Sequence, residues 1–100
     1  MANYVRRHLS EPISAEAIAK ELYISRPYLS KKFKEESGQT ITDFVLKEKT
    51  EEAKRLLRYS DKSLSSISVY LGFSSQSHFG RVFRKYTGMN PGEYREKHAI

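Results

Sequence analysis

Apolar residues recur along the chain at helical spacing and never alternate over a run long enough for a strand, so the predicted fold class is all-α. Ile18 and Leu22 fall at i, i+4 on a segment that Ser14 can cap, which predicts a helix over 15–22. Tyr23 and Ile24 then form a turn. Ser25 caps a second helix whose first turn holds Pro27, where a missing N–H costs nothing, and Gly38 closes it in a left-handed cap. Thr40 with Asp43 resembles a capping box, and Ile41, Phe44, Val45, Ala53, Leu56 and Leu57 keep the helical period, predicting a helix from about 41 to 58. At 1.5 Å per residue it spans roughly 27 Å, the length of a rigid spacer. Beyond it, Ser63 opens a helix through Leu71, Gly72 and Phe73 turn, Ser74 caps a further helix, and Gly88 closes it. Asn90, Pro91 and Glu93 supply a cap, a first-turn proline and a capping partner for a short last helix. Tyr4, Val5 and Leu9 predict another short helix at the start.

The same plan thus occurs twice. Ser14, Ile18, Leu22, Ile24 and Ser25 recur 49 positions later as Ser63, Ile67, Leu71, Phe73 and Ser74. After a one-residue slip, Leu29, Phe33, Lys34, Gly38 and Phe44 recur 50 later as Phe79, Phe83, Arg84, Gly88 and Tyr94. Two helices joined by three or four turn residues are a helix-turn-helix signature, so the chain reads as two such units, over 3–39 and 60–98, joined by a linker helix over 40–59. Gly72 supplies the positive φ that a tight turn needs. Tyr23 holds the matching place, where that conformation costs about 1 to 2 kcal/mol, so the first turn is expected to differ in geometry.

With 38% apolar and 12% aromatic residues, 100 residues suffice for one small folded domain and exclude most multi-domain enzymes. There is no cysteine, and His8, His78 and His98 lie far apart, so no metal site and no cofactor is expected. No run approaches the roughly 20 apolar residues of a membrane span, and no secretory signal stands at the start; the expectation is a cytoplasmic, nucleoid-associated protein. The net charge of +6 favours a polyanion, either nucleic acid or an anionic membrane.

The layout of that charge is more informative than its sum. Arg26 to Lys34 holds four cations and no acid, and Lys62 to Gly92 holds no acid at all. Glu35, Glu36, Asp43, Glu48, Glu51 and Glu52 gather between these zones. With Leu29 and Phe33 turned inward, Arg26, Pro27, Tyr28, Ser30, Lys31 and Lys34 remain on the outer side of the first second helix. With Phe79, Val82, Phe83 and Tyr86 inward, Gln76, Ser77, His78, Gly80, Arg81, Arg84 and Lys85 remain outside in the other. Both outer faces read as cations and amides without carboxylates. Arg and Lys can pair with guanine acceptors, Gln with adenine, and surplus cations with phosphates. Membrane binding would instead want the cations opposite a broad apolar face on one long amphipathic helix, and none exists. A helical module docking an acidic protein is the rival reading; an enzyme lacks any catalytic constellation.

At these residues the chain resembles the AraC/XylS family of bacterial transcription regulators. The segment Ile67 to Arg95 carries the GF turn, the F-x-R-x-F-[KR] core and the G-x-x-P-x-x-Y-R ending, SRPYLSKKFKEESG resembles the first recognition helix, and Ala53, Leu56 and Leu57 match the linker helix. The resemblance implies a seven-helix domain whose two helix-turn-helix units enter successive major grooves of promoter DNA. By motif position it assigns base reading to Arg26, Tyr28, Ser30 and Lys31, with Pro27 among them, and to Gln76, Ser77, His78 and Arg81. Lys34, Arg84 and Lys85 are expected on phosphates. Lys49 and Thr50 stand where relatives have Arg and an aliphatic residue, and Ser68 where they have Ala, so packing there is expected to be looser or differently hydrogen-bonded. Pro27 and Gly80 cannot read a base by a side-chain hydrogen bond. The resemblance further implies an activator that touches RNA polymerase. It also implies that the chain is the DNA-binding fragment of a larger regulator with a sensing or receiver domain, a short complete regulator being the alternative.

Overall fold

The computed structural model describes residues 2–10 and 13–98, and among them there are seven helices and no strand. They are α1 (Ala2–Arg7), α2 (Ala15–Glu21), α3 (Arg26–Ser37), α4 (Ile41–Tyr59), α5 (Leu64–Tyr70), α6 (Gln76–Thr87) and α7 (Pro91–His98). Serine oxygens start four of them. Ser14, Ser25, Ser63 and Ser75 each accept from the backbone N–H three residues on, satisfying a donor that the helix itself leaves orphaned. Thr40 Oγ1 accepts from the Asp43 N–H at 3.1 Å to open α4, and Asn90 and Glu93 bond each other's backbone N–H groups in a reciprocal box before α7.

The described residues divide into two compact units, the boundary falling inside α4 between Glu48 and Lys49. In the first unit α2 packs on α3, and Val5, Ile18, Ala19, Leu29, Ile41 and Val45 form a core flanked by Tyr4, Leu9, Phe33 and Phe44. Phe33 meets Phe44 edge to face at 5.5 Å, and Arg6 of α1 donates to the Glu48 carboxylate of α4. Leu22, expected beside Ile18 on the buried face, is instead 40% exposed because it is the C-cap of α2, where the helix has already ended.

In the second unit α5 and α7 pack on α6, and Ala53, Leu56, Leu57, Ile67, Leu71, Phe79, Val82, Phe83 and Tyr94 are buried. A ladder of rings runs through it. Phe73, Phe79, Phe83 and Tyr94 stand 5.2 to 5.8 Å apart in sequence, mostly tilted or edge to face, the arrangement that aromatic quadrupoles favour. Arg95 of α7 donates to the Leu57 and Ser60 carbonyls, closing the C-terminal end of α4 with a cation where the helix dipole is negative.

The two helix-turn-helix turns close α2 and α5 with one backbone geometry, where Tyr23 led to the expectation of a difference. Tyr23 has φ 59° and Gly72 has φ 75°. Ile24 N–H reaches back to Ala19 O and Tyr23 N–H to Lys20 O; Phe73 N–H reaches Ser68 O and Gly72 N–H reaches Val69 O. Both are the Schellman arrangement, which requires a left-handed residue just past the helix. Tyr23 therefore bears the strain that Gly72 avoids, about 1 to 2 kcal/mol.

The one-residue slip between the repeats lies in the turn. Ser25 follows Ile24 directly and caps α3, whereas Ser74 is an extra turn residue and Ser75 caps α6, bonding the His78 N–H at 3.0 Å. The expected cap at Ser74 is thus displaced by one, because two serines in a row leave the choice to the turn's geometry. Replacing Ser75 by Ala should cost about 1 kcal/mol of stability. Replacing Ser74 by Ala should stay within about 0.5 kcal/mol. Chemical denaturation of the two variants checks the order.

Candidate nucleic-acid interface

Each candidate recognition face is set by the rotation that core packing imposes on its helix. On α3, Leu29 is buried and Phe33 half-buried, so Arg26, Tyr28, Lys31 and Lys34 are exposed, with Ser30 half-buried at the flank. On α6, Phe79, Val82 and Phe83 are buried and Tyr86 half-buried, leaving Gln76, Ser77, Arg81, Arg84 and Lys85 exposed. All the expected readers thus belong to these two helices, and most of them are open to solvent.

Their electrostatic state differs from that of the four cations that have carboxylate partners. Arg6 pairs with Glu48, Lys54 with Glu51, Arg55 with Glu52, and Lys32 with Glu36. Arg26, Lys31, Lys34, Arg81 and Arg84 make no ion pair or side-chain hydrogen bond among the described residues. Lys85 lies 5.4 Å from the Tyr86 ring. The acids on α4 and in the last turns of α3 thus take up neighbouring cations, and Arg26, Lys31, Lys34, Arg81 and Arg84 keep no carboxylate partner. An unpaired cation gives up only water and counterions when it meets an anion.

One face is less uniform than the sequence suggests. Glu35 lines a shallow groove with Tyr28, Lys31 and Lys32 on α3, so a carboxylate does stand at the edge of the first basic face. The i, i+3 and i+7 spacing of Tyr28, Lys31 and Glu35 places them along one side of the helix. This carboxylate lies in the C-terminal half of α3, away from Arg26.

His78 is held rather than free. Its Nδ1 is 3.3 Å from Ser74 Oγ, and its ring meets Phe73 edge to face at 5.3 Å, which leaves it half-buried at the flank of α6. The extra turn residue Ser74 therefore acts on a recognition-helix side chain instead of the backbone. Gly80 is open: a Cβ built there meets nothing within 4 Å.

Lys49 emerges as the residue that steadies the second turn. Only 4% exposed, it donates from Nζ to the carbonyl of Leu71, the C-cap of α5, and stands 5.5 Å over the Phe73 ring. Packing here is close, not loose, and the difference from an Arg is the single point donor. Phe73 in turn packs on both His78 and Phe79. Thr50, next to it in sequence, and Ser68 of α5 are also buried, at 2% each. Sequence spacing could not single out Lys49, since it sits among Lys47, Glu48 and Glu51 in a stretch that reads as solvated charge.

With the geometry in view, comparison with known proteins decides the family. A family described as a helix-turn-helix domain matches residues 18–97. The chain is similar to an AraC-type DNA-binding domain protein from Chromobacterium violaceum, at 30% identity and TM-score 0.91 over 98% of this chain and 88% of that one. The chain belongs to the AraC/XylS family of transcription regulators. It is 37% identical over 94 residues to the regulatory protein PocR of Salmonella typhimurium, covering 94% of this chain and 31% of that protein. It also superposes on the DNA-binding domain of the transcriptional factor AdpA, solved in complex with a target DNA, with TM-score 0.90 and 27% identity over 96% of this chain and 86% of that one. The chain spans about a third of the length of the first curated relatives it matches. AraC/XylS members are regulators and not enzymes, in keeping with the faces described, and no described helix is long and apolar enough to cross a membrane.

Burial lowers the Lys49 pKa below the ordinary lysine value of 10.5, because desolvation penalises its charged form. With the folded pKa depressed, the unfolded chain binds more protons as pH approaches 10.5, so this group's contribution to stability increases as pH rises through that window. Lys49→Met removes the titration. The stability difference between the parent and Lys49→Met, measured by denaturation at stepped alkaline pH, should move in the parent's favour with rising pH.

Proposed function

We propose that this domain binds double-stranded promoter DNA through α3 and α6, each helix entering a major groove, the two grooves being successive on one face of the duplex. The observation that supports this most strongly is the pair of cationic faces, free of carboxylate partners at Arg26, Lys31, Lys34, Arg81 and Arg84, opposite the packed apolar sides of α3 and α6, on a family fold. Adjacent groove windows on one face of B-DNA recur about every 34 Å, so two helix-turn-helix units in one chain read a bipartite site without dimerisation. Where the units and the grooves do not match in spacing, bending of the DNA absorbs the difference.

In this reading Arg81 and Lys31 are the leading base contacts, with Arg26, Tyr28, Ser30, Gln76, Ser77 and His78 around them. Lys34, Arg84 and Lys85, in the later turns of α3 and α6, meet phosphates. The full regulator adds a sensing or receiver domain, acts in the cytoplasm at the nucleoid, and as an activator contacts RNA polymerase.

Base and phosphate contacts separate experimentally. Arg84→Ala should weaken binding to cognate and random duplex alike and lower the salt slope by about 1. Arg81→Ala should cost about 1–3 kcal/mol on cognate DNA and relax preference at one position. Fluorescence anisotropy at several salt concentrations checks both. An Arg84→Ala variant with the parent's slope removes that residue from the phosphate set, and salt-insensitive duplex binding by the parent favours the acidic-protein reading.

A further inference from the structure

Tyr23 is the only described non-glycine residue with positive φ, at 59°, and its side chain is 95% exposed. The first turn needs a left-handed residue, which glycine supplies without strain, and the equivalent turn of the second unit uses Gly72. Strain at Tyr23 is therefore not demanded by the fold, and the ring gains almost no burial within the chain to offset it. A strained residue kept where an unstrained one fits points to a role outside the folded chain.

Its position indicates the partner. Tyr23 stands two residues before the Ser25 cap and three before Arg26, an exposed cation with no ion pair among the described residues. The first residues of a recognition helix are those that approach base edges, so the turn feeding α3 lies at the lip of the groove, where phosphates run. A tyrosine there has an apolar body and one hydroxyl donor at its tip, and such hydroxyls are common phosphate contacts. We propose that Tyr23 is a DNA-backbone contact of the first unit, its hydroxyl donating to a phosphate oxygen and so fixing how α3 seats in the groove. The proposal rests on the DNA-binding reading of α3 and adds a residue to it. It also assigns the two turns different tasks, contact in the first and unstrained closure in the second.

The test compares Tyr23→Phe and Tyr23→Gly with the parent on one cognate and one random duplex, alongside chemical denaturation. Tyr23→Gly should raise the denaturation midpoint, because it removes the strain, yet bind both duplexes about fivefold to tenfold more weakly. Tyr23→Phe should leave the midpoint near the parent's and lose affinity to a similar extent. Because a neutral hydroxyl displaces no counterion, the salt slope of both variants should equal the parent's. Full affinity in Tyr23→Phe overturns the hydroxyl contact whatever Tyr23→Gly does, and full affinity in both removes Tyr23 from the DNA surface. A parent chain that binds neither duplex overturns the DNA-binding reading and this proposal together, which separates the two failures.

Discussion

Burial of one apolar stripe on each recognition helix fixes the rotation of that helix, and nearly everything else about the surface follows. Phe79 and Phe83 on α6, four residues apart, are locked into a ladder of rings from Phe73 to Tyr94, so Arg81 and Ser77 have no freedom except to point away from it. Leu29 and Phe33 do the same for α3. Burying a Phe or Leu side chain is worth about 1.5 to 3 kcal/mol, whereas an exposed cation contributes little to the fold. Sequence can therefore vary on the outer faces at small cost to stability, which is what a recognition surface requires.

Charge is then sorted by pairing. Four carboxylates, Glu36, Glu48, Glu51 and Glu52, hold cations close by, and three of these pairs involve helix-surface neighbours at i, i+3 or i, i+4. Such exposed pairs are worth only tenths of a kcal/mol to about 1 kcal/mol each. Their effect is on the field: they offset Arg6, Lys32, Lys54 and Arg55, while Arg26, Lys31 and Lys34 on α3 and Arg81 and Arg84 on α6 stay uncompensated. The net charge of +6 is small, but it is not the quantity that a duplex meets. Glu35 at the rim of the α3 groove is the exception, and its place in the C-terminal half of the helix keeps it from the residues nearest the cap.

Much of this was legible in the residues themselves. Seven helices, their serine and glycine boundaries, and the inward side chains at Leu29, Phe79, Val82 and Phe83 follow from spacing and cap chemistry, which are local. What was not legible depends on backbone hydrogen bonds or on burial. Ser74 and Ser75 are equally good caps in isolation, and it is the His78 N–H bonded to Ser75 Oγ that shows Ser75 starts α6. Tyr23 has a poor propensity for φ above zero, yet two backbone bonds to Ala19 and Lys20 hold it there. Lys49 is marked as a departure only by the family resemblance, and its partner, the Leu71 carbonyl, is set by tertiary packing. In each case a tertiary or turn-level constraint overrides an intrinsic preference.

The central claim is that two faces of one chain read two grooves of one duplex. Selection of bound fragments from a random double-stranded pool by the monomeric domain tests it most directly. The account predicts enrichment of a two-part motif whose halves are centred about one helical turn apart, some 10 base pairs. Enrichment of a single short motif, or of none, would contradict it.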